Sequence, residues 1–244
     1  MTDSVDRGSL AGRCILVTGA SSGIGQAIAL ALSDQGASVC FTGRNIVRLQ
    51  ESVAVAGKNA DFVAVDLTNP EAPQVLADHV AQSFGSLHGL VLCAGSIGLN
   101  VMQQASLGDL ESQVQTNVMA PYALCQRLLG ALVEGQGDVV FLNSSIVHYP
   151  RANAGQFAAT QHAISGIAES LRQELNPQGV RVLCVYVGRT ATPRQERLYE
   201  LEGRVYEPLQ LMQPASVAAA VTAALTMPRD AEITELHVRP MTKS

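Results

Sequence analysis

The chain has 244 residues, of which 47% are hydrophobic and 15% charged, and its formal net charge at pH 7 is −5. This composition supplies enough apolar side chains for a substantial core and excludes an intrinsically disordered chain. The sequence has no cluster of basic residues, so a nucleic acid is not an expected partner. Its longest apolar runs, such as 180–187, are too short to cross a bilayer, so we expect no membrane span.

The first residues and the cysteines bear on the compartment in which the protein works. Residues 1–9 contain Asp3 and Asp6 and no apolar segment, so we expect a short disordered lead-in and no signal peptide. The five cysteines form no Cys-x-x-Cys pair, and most of them fall in short apolar runs typical of buried strands. Buried thiols suit a reducing compartment, so we expect a cytoplasmic protein. The five histidines lack the spacing of metal ligands, and the sequence therefore predicts no metal site.

Short apolar runs alternate with longer helical stretches along the whole chain. Strands are predicted at 14–18, 38–42, 62–65, 89–93, 139–142, 180–187 and 235–238, and helices at 25–35, 70–84, 107–132, 155–175 and 214–227. This alternation is typical of an α/β fold with a doubly wound parallel sheet of Rossmann type, about seven strands wide, with helices on both faces. No linker or change in composition interrupts it, so residues 1–244 are expected to form a single domain.

A glycine-rich segment connects the first predicted strand to the first predicted helix. It reads Thr18-Gly19-Ala20-Ser21-Ser22-Gly23-Ile24-Gly25. Glycines permit a tight turn and a close backbone approach, and the helix N-terminus offers N–H groups and a positive dipole end to a pyrophosphate. Because the segment lies inside a βαβ unit, it predicts a dinucleotide-binding site. A turn that serves only packing is the alternative.

The Gly-x-x-x-Gly-x-Gly spacing resembles that of the short-chain dehydrogenase/reductase family, and the resemblance extends from about Leu10 to Val238. In that family an acidic residue after the second strand binds the ribose 2′-OH of NAD, whereas this chain has Gly43-Arg44. A guanidinium pairs with a 2′-phosphate, so NADP(H) is favoured over NAD(H); a solvated loop arginine is the alternative. Together with Arg44, the resemblance implies cofactor contacts at Thr18, Gly19, Ser21, Ser22, Gly23, Ile24, Gly25, Asp66, Leu67, Ala94, Gly95, Gln161, Gly188, Thr190 and Thr192.

The resemblance fails at two of the family's four catalytic residues. Asn117 and Ser145 match the family's Asn and Ser, but Phe157 stands at the Tyr position and Gln161 at the Lys position. Phenylalanine has no hydroxyl with which to donate a proton, and glutamine has no charge with which to lower a phenol's pKa. Glutamine can still form hydrogen bonds with the ribose hydroxyls of the cofactor. Efficient turnover by the family's usual proton transfer is therefore not expected.

The nicotinamide end carries other departures from the family pattern. Leu92-Cys93 replaces Asn-Asn before Ala94-Gly95, and Val187 replaces Pro before Gly188. Tyr149, which follows Ser145 by four residues, is a candidate substitute acid, although an ordinary packing or surface role is the alternative. Residues 190–213 correspond to the family's substrate-covering segment, and we expect them to form a lid.

The resemblance implies an NADP(H)-binding oxidoreductase with a non-standard active site, acting on a small carbonyl or alcohol substrate or on a diverged reaction. The alternative is a catalytically inactive protein that serves as a nucleotide sensor or as a partner of an active relative. A deliberately inactivated variant of an ordinary reductase would have the same sequence pattern. The long apolar helices predicted at 107–132 and 155–175 form a dimer seam in the family, which implies a homodimer or homotetramer.

Overall fold

The computed structural model describes residues 10–241, so the expectation for residues 1–9 lies outside the described part of the chain. Seven strands form one parallel sheet in the order β3-β2-β1-β4-β5-β6-β7. The strands are β1 Cys14–Thr18, β2 Ser38–Gly43, β3 Ala60–Ala64, β4 Gly89–Leu92, β5 Asp138–Ser144, β6 Arg181–Val187 and β7 Glu235–Val238. The predicted sheet is confirmed, and the predicted strand ends agree with the observed ones to within two residues.

Helices cover both faces of the sheet. They are α1 Gly23–Asp34, α2 Ile46–Ala56, α3 Ala72–Ser83, α4 Leu107–Val114, α5 Ala120–Glu134, α6 Gly155–Leu175, α7 Pro193–Leu201 and α8 Pro214–Leu225. A π-helical segment, Gln115–Met119, joins α4 to α5, so the predicted single helix at 107–132 contains an irregular turn. No helix in the described range 10–241 has the length and apolar character needed to span a bilayer.

Helix α2 is absent from the sequence-based prediction, which is wrong at this point. Only Leu49 and Ser52 of this helix are buried, while the apolar residues Val47 and Val55 are exposed. Apolar residues on both sides of the helix weaken the 3.6-residue period by which a helix is recognised. The stronger signal is its N-cap, where the Asn45 side chain accepts a hydrogen bond from the backbone N–H of Arg48 at 3.0 Å.

Alternate residues of each central strand enter two separate cores. Val17 of β1 belongs to the core under α1, α2 and α8, whereas its neighbour Leu16 belongs to the core under α3, α5 and α6. Because side chains on a strand alternate between faces, a strand buried on both faces is apolar at successive positions. This burial explains why continuous apolar runs predicted the strands correctly.

The amino ends of the central strands meet at a buried carboxylate. Asp138, at the start of β5, is 3% exposed and has three arginine partners. Its carboxylate lies 2.6 Å from Arg181, 2.9 Å from Arg229 and 3.4 Å from Arg13. A buried charge requires such compensation, so this cluster joins β1 and β5 to the segments around β6 at the end of the sheet opposite the glycine-rich turn.

The sheet changes direction between β1 and β4, and this is where the glycine-rich turn lies. The chain proceeds from β1 outward to β3 on one side, then returns to β4 on the other side of β1. A parallel sheet of this kind opens a crevice at the carboxyl ends of the two central strands. The Thr18 hydroxyl oxygen spans the two strand ends and accepts hydrogen bonds from the backbone N–H groups of Cys93 at 2.9 Å and Ala94 at 3.1 Å.

Candidate functional site

The glycine-rich turn has a backbone that side chains would disturb. Gly19 and Gly23 have φ angles of +68° and +59°, in the left-handed region that glycine adopts without strain. A Cβ atom on Gly19 would lie 3.0 Å from the Ala94 backbone, and one on Gly25 would collide with the Gly19 carbonyl. These close approaches hold the turn against β4 and leave its outer surface without side chains, as a pyrophosphate site requires.

The N-terminus of α1 offers backbone donors to the same site. Ser22 occupies the N-cap position in an extended conformation, but its side chain makes no capping hydrogen bond. The first N–H groups of a helix have no partner within the helix, and a side-chain cap ordinarily satisfies one of them. Here these donors stay available to an anion at the positive end of the helix dipole. The glycine turn and the uncapped α1 therefore fit a dinucleotide pyrophosphate.

Arg44 and Asp66 lie together at the adenosine end of the crevice. The Arg44 guanidinium is 3.8 Å from the Asp66 carboxylate, and both side chains are substantially exposed. Hydrogen bonds from Thr68, first from its backbone N–H, hold the pKa of Asp66 below its ordinary value, with a smaller contribution from Arg44. Leu67 follows Asp66 and packs partly into the core under α3. An exposed guanidinium in a weak ion pair can turn toward a ligand at small cost.

The segment 190–213, which the sequence predicts as a lid, contacts the glycine-rich turn and the segment after β4. Thr190 forms a parallel bridge with Met212, and α7 lies between these residues. The Thr192 side chain caps α7, and the methyl group of Thr192 lies next to Gly23 of the glycine-rich turn. Arg194 donates a hydrogen bond to the Gly95 carbonyl at 2.6 Å, so its guanidinium reaches across from α7 to the segment after β4. Gly188 is in the adjacent loop, where its backbone N–H bonds to Val238 of β7.

An arginine cluster holds α7 against the loop that precedes α6. The Glu202 carboxylate contacts Arg189 at 2.9 Å, Arg151 at 3.0 Å and Arg204 at 3.4 Å. The guanidinium groups of Arg189 and Arg204 both lie over the Tyr199 ring, 4.9 Å and 4.7 Å from its centre. Burial alone would raise the pKa of Glu202, but the hydrogen bond and charge of Arg189, assisted by Arg151, hold this pKa below its ordinary value.

Asn117 lies in the π-helical segment between α4 and α5. Pro121, four residues later, has no N–H group, so the Asn117 carbonyl lacks the usual α-helical donor. The Asn117 side chain accepts from Ser96 N–H at 2.7 Å and donates to the Ser96 carbonyl at 2.9 Å and to the Thr160 hydroxyl at 3.0 Å. Three bonds fix this carboxamide between the segment after β4 and α6. Short π-helical turns are frequent at functional sites.

Gln161 extends this polar group along α6. It is 7% exposed, and its Nε2 atom donates to the Thr160 hydroxyl at 3.4 Å. The Gln161 carbonyl accepts a hydrogen bond from Asn143, which comes from β5. Asn117 and Gln161 are therefore neighbours through Thr160, and both present neutral amides where the family pattern has an amide and an ammonium.

Phe157 lies one helical turn before Gln161 and has an apolar environment. Its partly buried ring packs against the cluster of Ile146, Ala154 and Ala158, together with Leu99. Ser145 begins the short 3-10 turn after β5 and is half-buried, next to Ile146. The structure thus brings Ser145 and Phe157 to the same region through Ile146, and the hydrophobic residues of this cluster offer no proton donor to the Phe157 ring.

Tyr149, the candidate substitute acid, contacts Ser145 through its backbone. Its N–H donates to the Ser145 carbonyl at 3.1 Å, while the residue itself is 70% exposed. Its ring has an edge contact with His148 at 6.4 Å. Neither contact directs the phenol toward Ser145, so its role as an acid stays a prediction.

Sequence reasoning missed four residues at this end of the crevice. Thr160 links Asn117 to Gln161, yet the family pattern treats its position as variable. The Ser96 hydroxyl is buried without a partner, as is Nε2 of Gln195 on α7, and a buried polar atom in this state is available to a ligand. Arg194 brings a cation to the Gly95 carbonyl and the Cys93 thiol, whose pKa burial raises to about 11 despite this cation. The only related signal in the sequence is the mixture of acidic and basic residues at 194–204, which is also typical of a solvated helix face.

Comparison with known proteins identifies the family to which this chain belongs. A family model described as short chain dehydrogenase matches residues 13–203. The chain belongs to the short chain dehydrogenase family. The resemblance stated from the sequence is thereby confirmed, and with it the Rossmann-type fold.

The matches to curated relatives cover nearly the whole of this chain, and those to two of the three described here cover nearly the whole relative. An uncharacterized oxidoreductase of Staphylococcus epidermidis is 30% identical over 93% of this chain and 96% of its own length. Serine 3-dehydrogenase of Agrobacterium fabrum is 28% identical over 94% of each chain. Glycine betaine reductase ATRR of Emericella nidulans is 29% identical over 97% of this chain, but the match covers only 19% of that larger protein.

Solved structures of short chain dehydrogenases superpose on nearly the whole chain. A Shigella flexneri family member complexed with NADP has a TM-score of 0.86 and 29% identity, covering 95% of this chain and 98% of that one. Serine dehydrogenase in its closed form, complexed with NADP+, has a TM-score of 0.86 and 26% identity, covering 95% and 96%. The fold around the crevice is therefore one that holds a nicotinamide dinucleotide in both of those proteins.

Proposed function

We propose that the protein is an NADP(H)-dependent oxidoreductase that acts on a small carbonyl or alcohol substrate by a non-standard proton transfer. The observation that carries this proposal is the contrast between the two ends of the crevice. The glycine-rich turn, the uncapped α1 and Arg44 keep the features that a phosphorylated dinucleotide needs. At the other end, Phe157 and Gln161 have replaced the residues that move the proton.

Cofactor choice rests on the chemistry of Arg44. A carboxylate at this position would repel a 2′-phosphate, whereas a guanidinium binds it with two parallel hydrogen bonds. The Arg44 side chain is 79% exposed, so it is free to leave Asp66 for a ligand. The NADP(H) complexes of the Shigella flexneri protein and of serine dehydrogenase agree with this preference.

Substrate positioning does not depend on the missing pair. When bound, NADPH supplies the hydride. Asn117 is held by three hydrogen bonds, and Gln161 offers an amide to the ribose without needing a charge. Correct placement of donor and acceptor contributes a large part of the rate of such a transfer. The Ser145 hydroxyl, half-buried beside Phe157, remains to bind the substrate oxygen.

The proton must come from a group other than residue 157. The Phe157 ring packs against the cluster of Ile146, Ala154 and Ala158, none of which carries a titratable group. We propose that Ser145 relays a proton from water that enters through the exposed loop 148–153. Loss of a positioned general acid lowers a rate by about 10²–10⁴, so turnover is slow by the family's standard.

The apolar environment of Phe157 also supports a second candidate function. A protein that binds NADP(H) without turnover needs the glycine-rich turn and Arg44 but no acid at residue 157. Arg194, which crosses to the Gly95 carbonyl, would then close the lid on the bound nucleotide. Such a protein would act as a nucleotide sensor or as the inactive partner of an active relative.

One experiment separates the two candidates. Binding of NADPH is measured by fluorescence, and its oxidation is measured with a panel of ketones and aldehydes, for the native chain and for Ser145→Ala. The proposed enzyme binds NADPH and oxidises it slowly with at least one carbonyl compound, and Ser145→Ala abolishes that oxidation. The matched control is Ser170→Ala, an exposed serine of α6 that bonds only to Glu174 on its own helix. Binding without any oxidation supports the nucleotide-binding candidate, and absence of binding contradicts both.

A further inference from the structure

Three potential metal ligands from three different elements converge away from the crevice. Cys40 lies in the middle of β2, Asp61 in β3 and His79 in α3. One ligand atom from each, the Cys40 thiol sulfur, an Asp61 carboxylate oxygen and a ring nitrogen of His79, lies within 4.8 Å of the other two. We call these three residues the β2–β3–α3 cluster.

Strand pairing and helix packing create the cluster. Cys40 and Asp61 are direct partners in the parallel pairing of β2 with β3. Helix α3 covers the same face of the sheet, since its Leu76 and Val80 share the core that contains Cys40. His79 is carried by this helix, and its Nε2 atom lies 2.9 Å from an Asp61 carboxylate oxygen.

The cluster is partly buried. Cys40 has no exposed surface, and the side chains of His79 and Asp61 are 24% and 41% exposed. The second carboxylate oxygen of Asp61, Oδ1, is buried and has no hydrogen-bond partner within the described residues. A buried acceptor without a donor is unfavourable, and a cation would satisfy it.

The ligand atoms are the types that Zn²⁺ prefers. Zinc binds thiolate sulfur at about 2.3 Å, imidazole nitrogen at about 2.0–2.1 Å and carboxylate oxygen at about 2.0–2.2 Å. Tetrahedral geometry with these bond lengths separates neighbouring ligand atoms by roughly 3.3–3.7 Å. The observed separations range from 2.9 Å to at most 4.8 Å and therefore bracket this range. Movements of the ligand atoms by about 1 Å or less would bring them to tetrahedral zinc geometry.

We infer that Cys40, Asp61 and His79 form a Zn²⁺ site, with water from the exposed side of Asp61 as the fourth ligand. Metal binding releases the thiol proton of Cys40 to the solvent, and the His79 imidazole binds in its neutral form through Nε2 with its proton on Nδ1. The site lies on β2 well before its carboxyl end, so it would fasten β2, β3 and α3 together without touching Arg44 or the glycine-rich turn. Its role is structural.

The test uses Co²⁺ as a spectroscopic probe and Zn²⁺ as the native candidate. The full-length protein is freed of metal with a chelator and titrated with CoCl2, and thiolate-to-cobalt charge-transfer absorption is recorded in the near ultraviolet. Thermal unfolding is measured with and without ZnCl2 at roughly a hundredfold excess over the dissociation constant. The same measurements are made on Cys40→Ala, His79→Gln and the matched control Cys125→Ala, a second buried thiol.

The inference requires one equivalent of Co²⁺ to produce the charge-transfer absorption, and Zn²⁺ to abolish it by competition. Zinc should raise the Tm by about 5–10 °C in the native chain and in Cys125→Ala. In Cys40→Ala the absorption should be lost, and in His79→Gln the metal affinity should fall at least tenfold. Absence of the absorption in the native chain, or its persistence in Cys40→Ala, overturns the inference. Should Cys40→Ala fail to fold, the native titration and His79→Gln decide the question by themselves.

Discussion

Phe157 and Gln161 give the most demanding prediction. Phe157 and Gln161 are four residues apart on α6, so their side chains lie on one face of the helix, as a tyrosine and lysine would need to. The double substitution Phe157→Tyr with Gln161→Lys returns a phenol and an ammonium next to Ser145 and Asn117. We expect it to accelerate the reduction of a simple carbonyl compound by NADPH.

The size of the gain follows from the environment of the two positions. A positioned general acid contributes about 10²–10⁴ to a rate, and we expect the lower end, about 10². A lysine at position 161 must place its charge where the native glutamine is 7% exposed, with the Thr160 hydroxyl as its nearest acceptor. The neighbouring Cys93 and Val187 also differ from the family pattern and reduce the precision with which the nicotinamide is held.

Single substitutions should gain less than the pair. Tyrosine alone at position 157 keeps a pKa near 10, because no ammonium lowers it. Lysine alone at position 161 has no phenol to activate. Oxidation of NADPH is followed by its absorbance for the native chain, both single variants and the double variant, on the same carbonyl panel.

A triple variant provides the control. Adding Ser145→Ala to the double variant should remove most of the gain, since the restored phenol acts together with the Ser145 hydroxyl on the substrate oxygen. A double variant that binds NADPH and yet remains inert on the whole panel refutes the view that only the proton donor is missing. A gain that survives Ser145→Ala places the new activity outside this site.

The remaining predictions concern the cofactor, the fold, the lid and the assembly. Arg44→Asp should raise the ratio of the NADPH to the NADH dissociation constant by about tenfold to a hundredfold, whereas Lys58→Asp, which makes the same change in charge on a distant loop, should leave it unaltered. Asp138→Asn leaves three arginines without their buried carboxylate and should lower stability by about 3–5 kcal/mol, seen as a Tm decrease of roughly 6–20 °C; an unchanged Tm would contradict the cluster's role. Because the pKa of Glu202 is held below its ordinary value, its contribution is present above the ordinary carboxyl pKa and is lost as the pH falls through the lowered pKa. Limited proteolysis of the lid should therefore accelerate in acid in the native chain but not in Glu202→Gln. Light scattering at micromolar concentration should give a dimer or tetramer, and a mass of 25.7 kDa would exclude both.

The site residues named from the sequence rest on local chemistry, and their roles stay predictions. Gly19 and Gly25 could be assigned because a glycine-rich turn between a strand and a helix has few alternative uses. Phe157 and Gln161 could be assigned as replacements because the family spacing around them is intact. The sequence could not supply the Thr160 bridge or the Arg194 contact, since each joins residues from elements far apart along the chain.

The amino-acid sequence by itself determined the sheet, because its central strands are buried on both faces, are apolar at most successive positions and cannot be exposed without a large hydrophobic cost. It also determined that residue 157 carries no hydroxyl and residue 161 no charge, because phenylalanine and glutamine lack these groups in any fold. Tertiary structure alone decided that Cys40, Asp61 and His79 meet, although their spacing had predicted no metal site. The reason is physical: ligands carried by two paired strands and a covering helix are brought together by strand register and packing, which no local pattern encodes.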